Sequence, residues 1–388
     1  MTTWDTIVVG AGPAGSATAT LLARGGQRVL LVDRARFPRD KPCSEYLSPG
    51  TTPLLERLGV LPAVRAAAPA RLRGMKVVAG RDIAMTGYFA HGERDSFALP
   101  RTTFDSILRH AAEGAGAEVR ESVKVEDLAP GGVLVRTGGG KREKCDAPVV
   151  VGADGLRSVV ARRLGPVLTS PPRRVAFASH FAAVAGVSDV GEMHVGGPGG
   201  AYVGMGPIGD GITTVALVVP AAQVRRLDVP RRYRETLEQF PGLRGRFDRA
   251  RLVRPILATG PFAQWSRRPV APDGAALLVG DAADFFDPFT GQGIYSALRG
   301  AELAAHCLLS GAPLASYARA RRREFGGAGK WLLERLIAVG VGFPTLARRV
   351  VGRLAGRPDL ADLLVGATGN IVPARRALAP AVLAGLLL

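Results

Sequence analysis

The chain has 388 residues, enough to bury one large core or two interlocked ones, and 47% of them are hydrophobic. Lys and Arg outnumber Asp and Glu by 51 to 33, which gives a formal net charge of +18. The basic residues are spread along the chain without interleaved aromatic residues. This spread disfavours a nucleic-acid-binding module, and we expect no nucleic-acid partner.

Two further classes of protein are disfavoured by composition. No stretch of about 18 uncharged apolar residues is present, so we expect no membrane-spanning helix, and Asp5 interrupts the region where a secretory signal would be apolar. Three cysteines, Cys43, Cys145 and Cys307, stand far apart and without paired spacing. They predict reduced thiols, no metal site and a cytoplasmic protein.

The first 35 residues predict one β-α-β unit. A β-branched run at 6–9 precedes a glycine turn at 10–15, a helix of small residues at 17–24 and an apolar strand at 28–32. So short a crossover through a helix joins parallel strands, and a parallel pair indicates a layered α/β core.

The remaining elements follow from the same patterns. Strand-like and helix-like stretches alternate up to about residue 293, and the chain beyond Ile294 looks almost wholly helical. In chain order, we predict a helical region at 51–71, short strands at 75–99, a helix at 103–115, strands at 119–128 and 132–137, a buried parallel strand at 148–151, an antiparallel block at 173–220, a helix near 229–239, strands to about 260 and a last buried strand at 276–279.

These elements predict a discontinuous, Rossmann-like nucleotide-binding domain with an antiparallel substrate-binding sheet inserted into it and a helical C-terminus. The predicted nucleotide-binding parts are 1–71, 101–172 and 270–310. The predicted sheet parts are 72–100 and 173–269, and the helical region is 311–388.

The glycine turn carries the first chemical signal. Gly10 permits the tight turn, Gly12 allows backbone to approach a diphosphate, and Gly15 allows helix and strand to pack closely. The diphosphate then lies at a helix N-terminus, and Asp33, after the second strand, is placed to accept hydrogen bonds from a ribose.

Two later motifs also place an acid after a buried strand. Asp154-Gly155 follows 149–151, and Gly280-Asp281 follows 277–279. The carboxyl ends of strands are where an open α/β sheet binds its ligands. A Pro- and Gly-rich segment, 287–293, then leads into a helix whose N–H groups would face the negative charge of a reduced flavin.

These three motifs, in this order, resemble the FAD-dependent class that includes para-hydroxybenzoate hydroxylase and the geranylgeranyl reductases. The resemblance covers nearly the whole chain and implies bound FAD, with NAD(P)H as a transient electron donor. It implies contact of Val125 with the adenine through its backbone, and an influence of Asp154 on the approach of the nicotinamide. The cofactor-binding residues it implies are Gly10, Gly12, Ala14, Gly15, Asp33, Arg34, Ser44, Arg101, Val125, Asp154, Gly280, Asp281, Pro288, Gly291, Gln292, Gly293 and Ile294.

The sequence departs from this class at several positions. Ala161 stands where an Arg is frequent, and Asp284 where His is common. The Trp-x-Trp-x-Ile-Pro signature of flavin halogenases is missing, which disfavours halogenation. Residues 38–49 resemble the Lys-x-Cys-Gly segment of the geranylgeranyl reductase branch, with Ser44 in place of Gly. Cys43 either lies by the flavin or is a packed thiol.

Candidates for catalysis and substrate binding are weaker. Cys43, His180 and Asp287 are the catalytic candidates, although a lone histidine such as His180 or His194 usually only satisfies local hydrogen bonds. Apolar strand residues line a substrate pocket or belong to the core. The pocket candidates are Phe177, Met193, Tyr202 and Met205. The basic helical tail caps the active site, rests on a membrane or is a solvated face.

Our leading hypothesis from the sequence is a monooxygenase that hydroxylates or epoxidises a small apolar aromatic, polyketide or terpenoid substrate with NAD(P)H and O2, in secondary metabolism. The rival is an ene reductase of the geranylgeranyl type, although the stretch 201–207 lacks that branch's aromatic-rich segment. A third hypothesis is a non-catalytic basic binder of nucleic acid or membrane. No obligate protein partner is expected, and peripheral membrane contact stays open.

Overall fold

The computed structural model describes residues 3–89, 96–229, 231–327 and 329–387. Its strands, in chain order, are β1 (Thr6–Val9), β2 (Val29–Val32), β3 (Tyr46–Leu47), β4 (Ala70–Arg71), β5 (Gly74–Ala79), β6 (Ala84–Tyr88), β7 (Phe97–Ala98), β8 (Glu118–Arg120), β9 (Lys124–Ala129), β10 (Gly132–Arg136), β11 (Arg142–Asp146), β12 (Val149–Gly152), β13 (Val167–Thr169), β14 (Arg174–Ala182), β15 (Val190–Val195), β16 (Tyr202–Pro207), β17 (Ile212–Pro220), β18 (Arg251–Thr259), β19 (Gln264–Ser266), β20 (Ala276–Leu278) and β21 (Asp284–Phe285).

The α-helices alternate with strands in the first half of the chain and dominate its end. They are α1 (Pro13–Arg24), α2 (Thr52–Arg57), α3 (Leu61–Ala66), α4 (Arg101–Gly114), α5 (Val159–Leu164), α6 (Val224–Leu227), α7 (Tyr233–Glu238), α8 (Gly293–Leu309), α9 (Ala315–Arg321), α10 (Lys330–Val341), α11 (Pro344–Ala355), α12 (Pro358–Thr368), α13 (Ala374–Ala377) and α14 (Pro380–Leu387). No helix among the described residues is both long and apolar enough to cross a membrane.

A five-stranded sheet forms the first layer, in the order β20-β12-β1-β2-β8, with every pair parallel. Strands β1 and β2 are buried along their whole length, as expected for strands covered on both faces. Helix α1 packs against α4 and α8 on one side of this sheet. This sheet, with its helices, confirms the Rossmann-like α/β class.

A seven-stranded sheet forms the second layer, in the order β18-β14-β17-β16-β15-β5-β6. Its pairs are antiparallel except β5 with β15. One face packs against α7 and its neighbours through Phe177, Phe181 and Leu237. The opposite face packs under α11 and α12 through Met193 and Tyr202. Successive side chains of a strand point to opposite faces, and each strand therefore serves both layers.

Three smaller sheets complete the fold, in the orders β11-β10-β9, β13-β19-β21 and β3-β7-β4. The last of these joins short segments on either side of β5 and β6. The helices after α9 cover the seven-stranded sheet, since Val341, Val351 and Leu354 belong to the same apolar cluster as Met193 and Tyr202.

The structure corrects several element boundaries. Helix α1 begins at Pro13, because proline is tolerated in the first helical turn. The predicted helical region 51–71 is two helices separated at Gly59, which has a φ of +67°, and it ends in strand β4. The predicted strand 119–128 is divided at Ser122, with a φ of +57°, into β8 and β9. The domain boundaries remain predictions, and residues 90–95 of the second segment lie outside the described residues.

Candidate active site

A cavity lies between the carboxyl edge of the five-stranded sheet and the seven-stranded sheet. On the first side it is lined by residues that follow β1, β12 and β20, including Gly12, Ala153 and Asp281. The opposite wall includes Ala178 and Gly204, from β14 and β16. Since ligands of open α/β sheets bind at the carboxyl edge, this cavity is the candidate active site.

The three glycines of the turn have different surroundings: two of them pack closely against backbone, and the third faces the cavity. A Cβ on Gly15 would lie 1.8 Å from the carbonyl oxygen of Gly10, and a Cβ on Gly10, whose φ is +101°, would lie 2.5 Å from that of Ala153. A Cβ on Gly12 would meet only the Arg39 side chain, at 3.3 Å. Gly10 and Gly15 therefore allow close backbone packing, whereas Gly12 leaves open space at the cavity.

Two helices begin at this cavity without a capping side chain. Gly12 is the N-cap of α1 and Gln292 is the N-cap of α8, and neither helix carries an acid in its first turn. The first residues of both helices, among them Ala14 and Ile294, line the cavity. The free N–H groups and the positive dipole ends of both helices favour a ligand with two anionic regions.

The carboxylate of Asp33 holds the glycine turn in place through hydrogen bonds to backbone amides. Its Oδ2 accepts a hydrogen bond from the Ala11 amide at 2.7 Å, and its Oδ1 accepts one from the Ala35 amide at 2.8 Å. The side chain is buried and is not on the cavity wall, and Arg34 is exposed to solvent. The predicted contacts of Asp33 with a ribose and of Arg34 with the cofactor remain predictions.

The segment between β2 and β3 supplies a cation and a thiol to the cavity. Lys41 Nζ lies 3.7 Å from Asp281 Oδ2, and Cys43 and Ser44 follow it on the wall. The Cys43 carbonyl accepts a hydrogen bond of 3.5 Å from Thr214 Oγ1 in β17. The candidate thiol therefore lies where the two sheets meet. Lys41 was not among the predicted site residues, although it precedes Cys43 by only two positions.

Arg101 lies on the cavity wall, where the resemblance placed a flavin-proximal arginine. Its Nε and Nη2 each donate a 2.7 Å hydrogen bond to Asp105, and Arg39 Nη1 lies 3.1 Å from the same carboxylate. Burial acts to lower the pKa of Arg101, but Asp105, Cys43 and Glu45 outweigh it and hold that pKa well above its ordinary value. Arg101 is therefore a fixed positive charge on the wall.

Glu45 joins the two layers and was not predicted from the sequence. It is fully buried and has a φ of +63°, unusual for a residue other than glycine. Its carboxylate accepts hydrogen bonds from the Arg101 amide at 2.6 Å and from Arg254 Nη1 at 3.0 Å, and it lies 2.9 Å from His180 Nε2. His180, a catalytic candidate, is held in this pair and does not line the cavity.

Asp287, another catalytic candidate, is directed away from the cavity. Its carboxylate accepts hydrogen bonds from Arg174 Nη1 at 2.7 Å, from Tyr202 Oη at 2.6 Å and from the Phe289 amide at 3.0 Å. Tyr202 lines the cavity, and its predicted contact with a substrate stays a prediction. Burial, and then Asp287, raise the pKa of Tyr202 well above its ordinary value, so its hydroxyl stays protonated.

The predicted pocket position of Phe177 is wrong. Its neighbours Ala176 and Ala178 line the cavity, and because side chains alternate along β14, Phe177 points into the core on the other face. Met193 lines the cavity, and its predicted contact with a substrate also stays a prediction. Met205 borders it but packs in the same cluster as Phe177.

Three predicted cofactor residues lie behind the cavity wall. Val125 is buried in the core between the five-stranded sheet and β9 to β11. Gly280, with a φ of +58°, lets its loop approach Ala14, whose Cβ a side chain would meet at 2.9 Å. Asp154 accepts a hydrogen bond from the Val159 amide at 2.7 Å, while its buried Oδ1 has no hydrogen-bond partner. Burial raises the pKa of Asp154.

A second cavity lies on the far side of the segment 281–293. Gln292 lines this second cavity and not the first one, and both polar atoms of its side-chain amide are buried without hydrogen-bond partners. The predicted contact of Gln292 with the flavin remains a prediction. Burial first, and Asp284 and Asp287 after it, raise the pKa of Glu334 in this cavity to about 8, although Lys330 and Arg321 act to lower it.

The residues around the first cavity fit an anionic dinucleotide. The cavity is surrounded by two uncapped helix N-termini, the open face at Gly12, and the cations Lys41 and Arg101. Close to it, Asp154 Oδ1 is a buried acceptor without a hydrogen-bond partner. Among the described residues, no group of three or more His, Cys, Asp or Glu side chains is arranged to hold a metal ion.

This parallel-sheet fold, with a dinucleotide cavity facing an inserted sheet, is that of a nucleotide-dependent oxidoreductase. The chain belongs to the family described as the FAD binding domain, whose model matches residues 3–312. It is therefore an FAD-dependent oxidoreductase, as the resemblance implied.

Two curated relatives are reductases. The chain is 32% identical over 330 residues to a menaquinone reductase of Mycolicibacterium smegmatis, across 79% of this chain and 76% of that protein. It is 30% identical over 346 residues to digeranylgeranylglycerophospholipid reductase 1 of Methanothermobacter thermautotrophicus, across 83% of each.

Solved structures share the fold at lower identity. The flavin-dependent brominase Bmp2 superimposes with a TM-score of 0.83 at 20% identity, covering 96% of this chain and 94% of the brominase. A flavoprotein/dehydrogenase of Cytophaga hutchinsonii gives a TM-score of 0.83 at 21% identity, covering 98% of this chain and 96% of the other. At these identities the likeness supports the α/β fold alone.

Proposed function

We propose that the chain is an FAD-dependent reductase that saturates a carbon–carbon double bond in a long apolar substrate, with NAD(P)H as electron donor. The observation that carries the proposal is the position of Cys43, a thiol residue at the junction of the cofactor side and the apolar wall of the cavity. The two relatives named as reductases of menaquinone and of a digeranylgeranyl lipid support it.

The cavity wall suits an apolar chain. Small residues of the seven-stranded sheet, Ala176, Ala178 and Gly204, leave a trough, and Met193 and Phe262 supply apolar contact. A trough of this kind accommodates an isoprenoid or similar chain through apolar burial, with no need for hydrogen bonds along it. The same features fit the apolar substrate class expected from the sequence.

Reduction of an isolated double bond requires one hydride and one proton. Bound FAD, held by the two helix N-termini and Lys41, would supply the hydride after its reduction by NAD(P)H. Cys43 Sγ–H gives its proton to the second carbon, so that the π bond breaks and two C–H bonds form. Arg101 stabilises the resulting thiolate by its fixed positive charge, and solvent returns the proton.

A second candidate is the monooxygenase favoured by the sequence, with O2 and NAD(P)H and an apolar aromatic, polyketide or terpenoid substrate. The observation that favours it is the wall formed by the seven-stranded sheet. On this wall the Tyr202 hydroxyl donates its hydrogen bond to Asp287, and Met193 and Ala178 offer no acid or base. Oxygen transfer depends on exclusion of water more than on such groups.

Product analysis in the presence and absence of oxygen separates the two candidates. FAD-loaded protein is incubated with NADPH or NADH and a panel of menaquinones and geranylgeranyl lipids, in air and anaerobically. The reductase proposal expects a product that gains two hydrogens under both conditions. A product that gains oxygen, formed only in air, would establish the monooxygenase instead. A colourless protein that takes up no FAD would contradict both.

The thiol is tested by Cys43→Ala, with Cys145→Ala as the matched control because Cys145 is buried in the small sheet away from the cavity. We expect Cys43→Ala to lower the rate of product formation on the order of a hundredfold while NAD(P)H still reduces the flavin. The control variant should keep both rates. Equal loss of both rates in Cys43→Ala would remove the proton-donor role.

A further inference from the structure

Helix α10 is apolar on both of its faces. Its inner face buries Leu333, Ala338 and Val341 against the rest of the protein. Its outer face exposes Leu332 by 54%, Leu336 by 47% and Val339 by 44%. An amphipathic surface helix presents polar residues to water, so an apolar outer face on α10 indicates a partner that the described residues of the chain do not supply.

The exposed stripe continues into α11. Phe343, between the two helices, is 59% exposed and Leu346 is 37% exposed. The spacing of 332, 336 and 339 by four and three residues keeps these side chains on one side of α10, and Phe343 and Leu346 follow at the turn and the start of α11. We call this set of five residues, Leu332, Leu336, Val339, Phe343 and Leu346, the outer apolar face.

Arginines border the outer apolar face. Arg335 is exposed on α10, with its guanidinium over the rings of Trp265 and Phe286 at 5.3 Å from each centroid. Arg349 and Arg353 are exposed on α11, three and seven residues after Leu346 and so on the same side of that helix. Helix α11 contains no acid, and the one acid of α10, Glu334, lines the second cavity.

From this arrangement we propose that the outer apolar face docks the protein on the surface of an anionic lipid bilayer. Apolar side chains in the interfacial region, with arginines at the level of the lipid phosphates, are the features by which helices bind to a membrane surface without crossing it.

A second copy of the chain fits this face poorly. A two-fold interface would bring Arg335, Arg349 and Arg353 of one copy against the same arginines of the other, and like charges facing each other oppose association. The net charge of +18 adds to this repulsion and to the attraction of an anionic bilayer. Charge complementarity therefore selects the bilayer.

Vesicle flotation of the full-length, FAD-loaded protein tests the proposal. Vesicles of phosphatidylcholine alone are compared with vesicles of equal parts phosphatidylcholine and phosphatidylglycerol, with no substrate present. We expect the protein to float with the anionic vesicles and to remain in solution with the zwitterionic ones. Equal binding to both vesicles, or none to the anionic ones, would overturn the proposal.

Two variants, each with a matched control variant, test whether the outer apolar face is the surface that binds the vesicles. Leu336→Asp should weaken binding on the order of tenfold, whereas Leu134→Asp, at an equally exposed leucine of β10, should not. Arg349→Glu should weaken binding by about fivefold or more, and Arg249→Glu, at an exposed arginine away from α10 and α11, should weaken it less. All four substituted residues are exposed, so the fold should be kept.

Light scattering of the same variants without lipid tests whether a second copy of the chain, instead of a bilayer, covers the outer apolar face. The proposal expects one mass for the wild type and Leu336→Asp. A wild-type dimer that becomes monomeric in Leu336→Asp would assign the outer apolar face to a second copy and overturn membrane docking. Neither flotation nor light scattering requires catalysis, so the test of membrane docking is independent of the proposed reductase activity.

Discussion

Gly12 and Gly15 belong to one turn but have different surroundings. Gly15 lies against the backbone of Gly10, where no atom can move aside, whereas Gly12 faces the cavity and a single flexible arginine. The sequence pattern assigns close packing to Gly15 and the approach of a diphosphate to Gly12, whereas the resemblance implies cofactor contact for both residues. The structure assigns packing to Gly15 and access for the cofactor to Gly12.

This difference predicts two distinct failures. Gly15→Ala should reduce the free energy of unfolding of the apoprotein by about 3 kcal/mol or more, because its Cβ meets backbone. Gly12→Ala should fold normally but weaken FAD binding on the order of tenfold or more, because its methyl group occupies cofactor space. Urea unfolding and FAD titration measure the two effects. A stable Gly15→Ala protein, or unchanged FAD affinity in Gly12→Ala, would contradict the assignment.

Glu334 gives a pH dependence with a definite sign. Its folded-state pKa, raised to about 8 by burial and the nearby Asp284 and Asp287, lies above the ordinary value of 4.5. Between these two values the folded protein holds a proton that the unfolded chain has released, so stability falls as pH rises through this window. The carboxyl therefore opposes folding at alkaline pH.

Glu334→Gln should consequently stabilise the protein at alkaline pH. We expect equal stability of variant and wild type near pH 5, and a gain of about 1 to 2 kcal/mol for the variant near pH 9, after allowance for relaxation and solvent screening. Urea unfolding at both pH values measures the gain. A constant difference between variant and wild type across the range would show that the carboxyl does not titrate in this way.

At the scale of elements, strand β14 shows what the sequence can predict and what it cannot. The sequence predicted an antiparallel block at 173–220, and β14, at Arg174–Ala182, is the first strand of that block. The face that meets the cavity was predicted wrongly at Phe177, because Phe177 and its alanine neighbours are all compatible with burial. The alternation fixes the relative faces only, and the covering of one face by α7 decides the outcome.

The same limit applies elsewhere in the site. The strand-glycine-helix pattern and the segment 287–293 were informative because each has a turn whose geometry depends on local residues. Glu45 gave no local signal, since its partners His180 and Arg254 are distant in sequence. The very short strands, such as β3 and β21, also lack a periodic signal and are formed by tertiary pairing.

Two neighbouring positions of β14 test the assignment of faces. Phe177→Ala should lower the free energy of unfolding by about 3 to 5 kcal/mol and leave substrate affinity of the folded protein unchanged. Ala178→Leu should fill part of the cavity, cost about 1 kcal/mol in stability and raise KM on the order of tenfold. Denaturation and steady-state kinetics separate these effects. The reverse pattern would place the cavity on the other face.

At the scale of the whole molecule, one buried ion pair connects three regions. Arg174 of β14 donates to Asp287 at 2.7 Å and to the carbonyl oxygen of Ala338 in α10 at 2.8 Å. Asp287 precedes the segment that leads into α8. A single guanidinium of the seven-stranded sheet is therefore hydrogen-bonded both to the candidate cofactor loop and to the C-terminal helices, in addition to their apolar contacts.

Removal of either partner should leave a buried charge without its counterion. Arg174→Met should destabilise the protein by about 3 to 5 kcal/mol, and the double variant Arg174→Met with Asp287→Asn should be less destabilised than the sum of the single variants. A double-mutant cycle from urea unfolding measures this coupling. Additive effects would mean that the pair does not connect these regions energetically.

The central claim is that FAD occupies the first cavity, with its diphosphate at the start of α1 and its ring at the start of α8. A crystal structure of the protein with bound FAD tests it most directly. We expect the diphosphate at Gly12 and Ala14, and the flavin ring between Gly291–Ile294 and the wall formed by Met193 and Tyr202. A flavin ring bound in the second cavity, or a diphosphate away from α1, would contradict it.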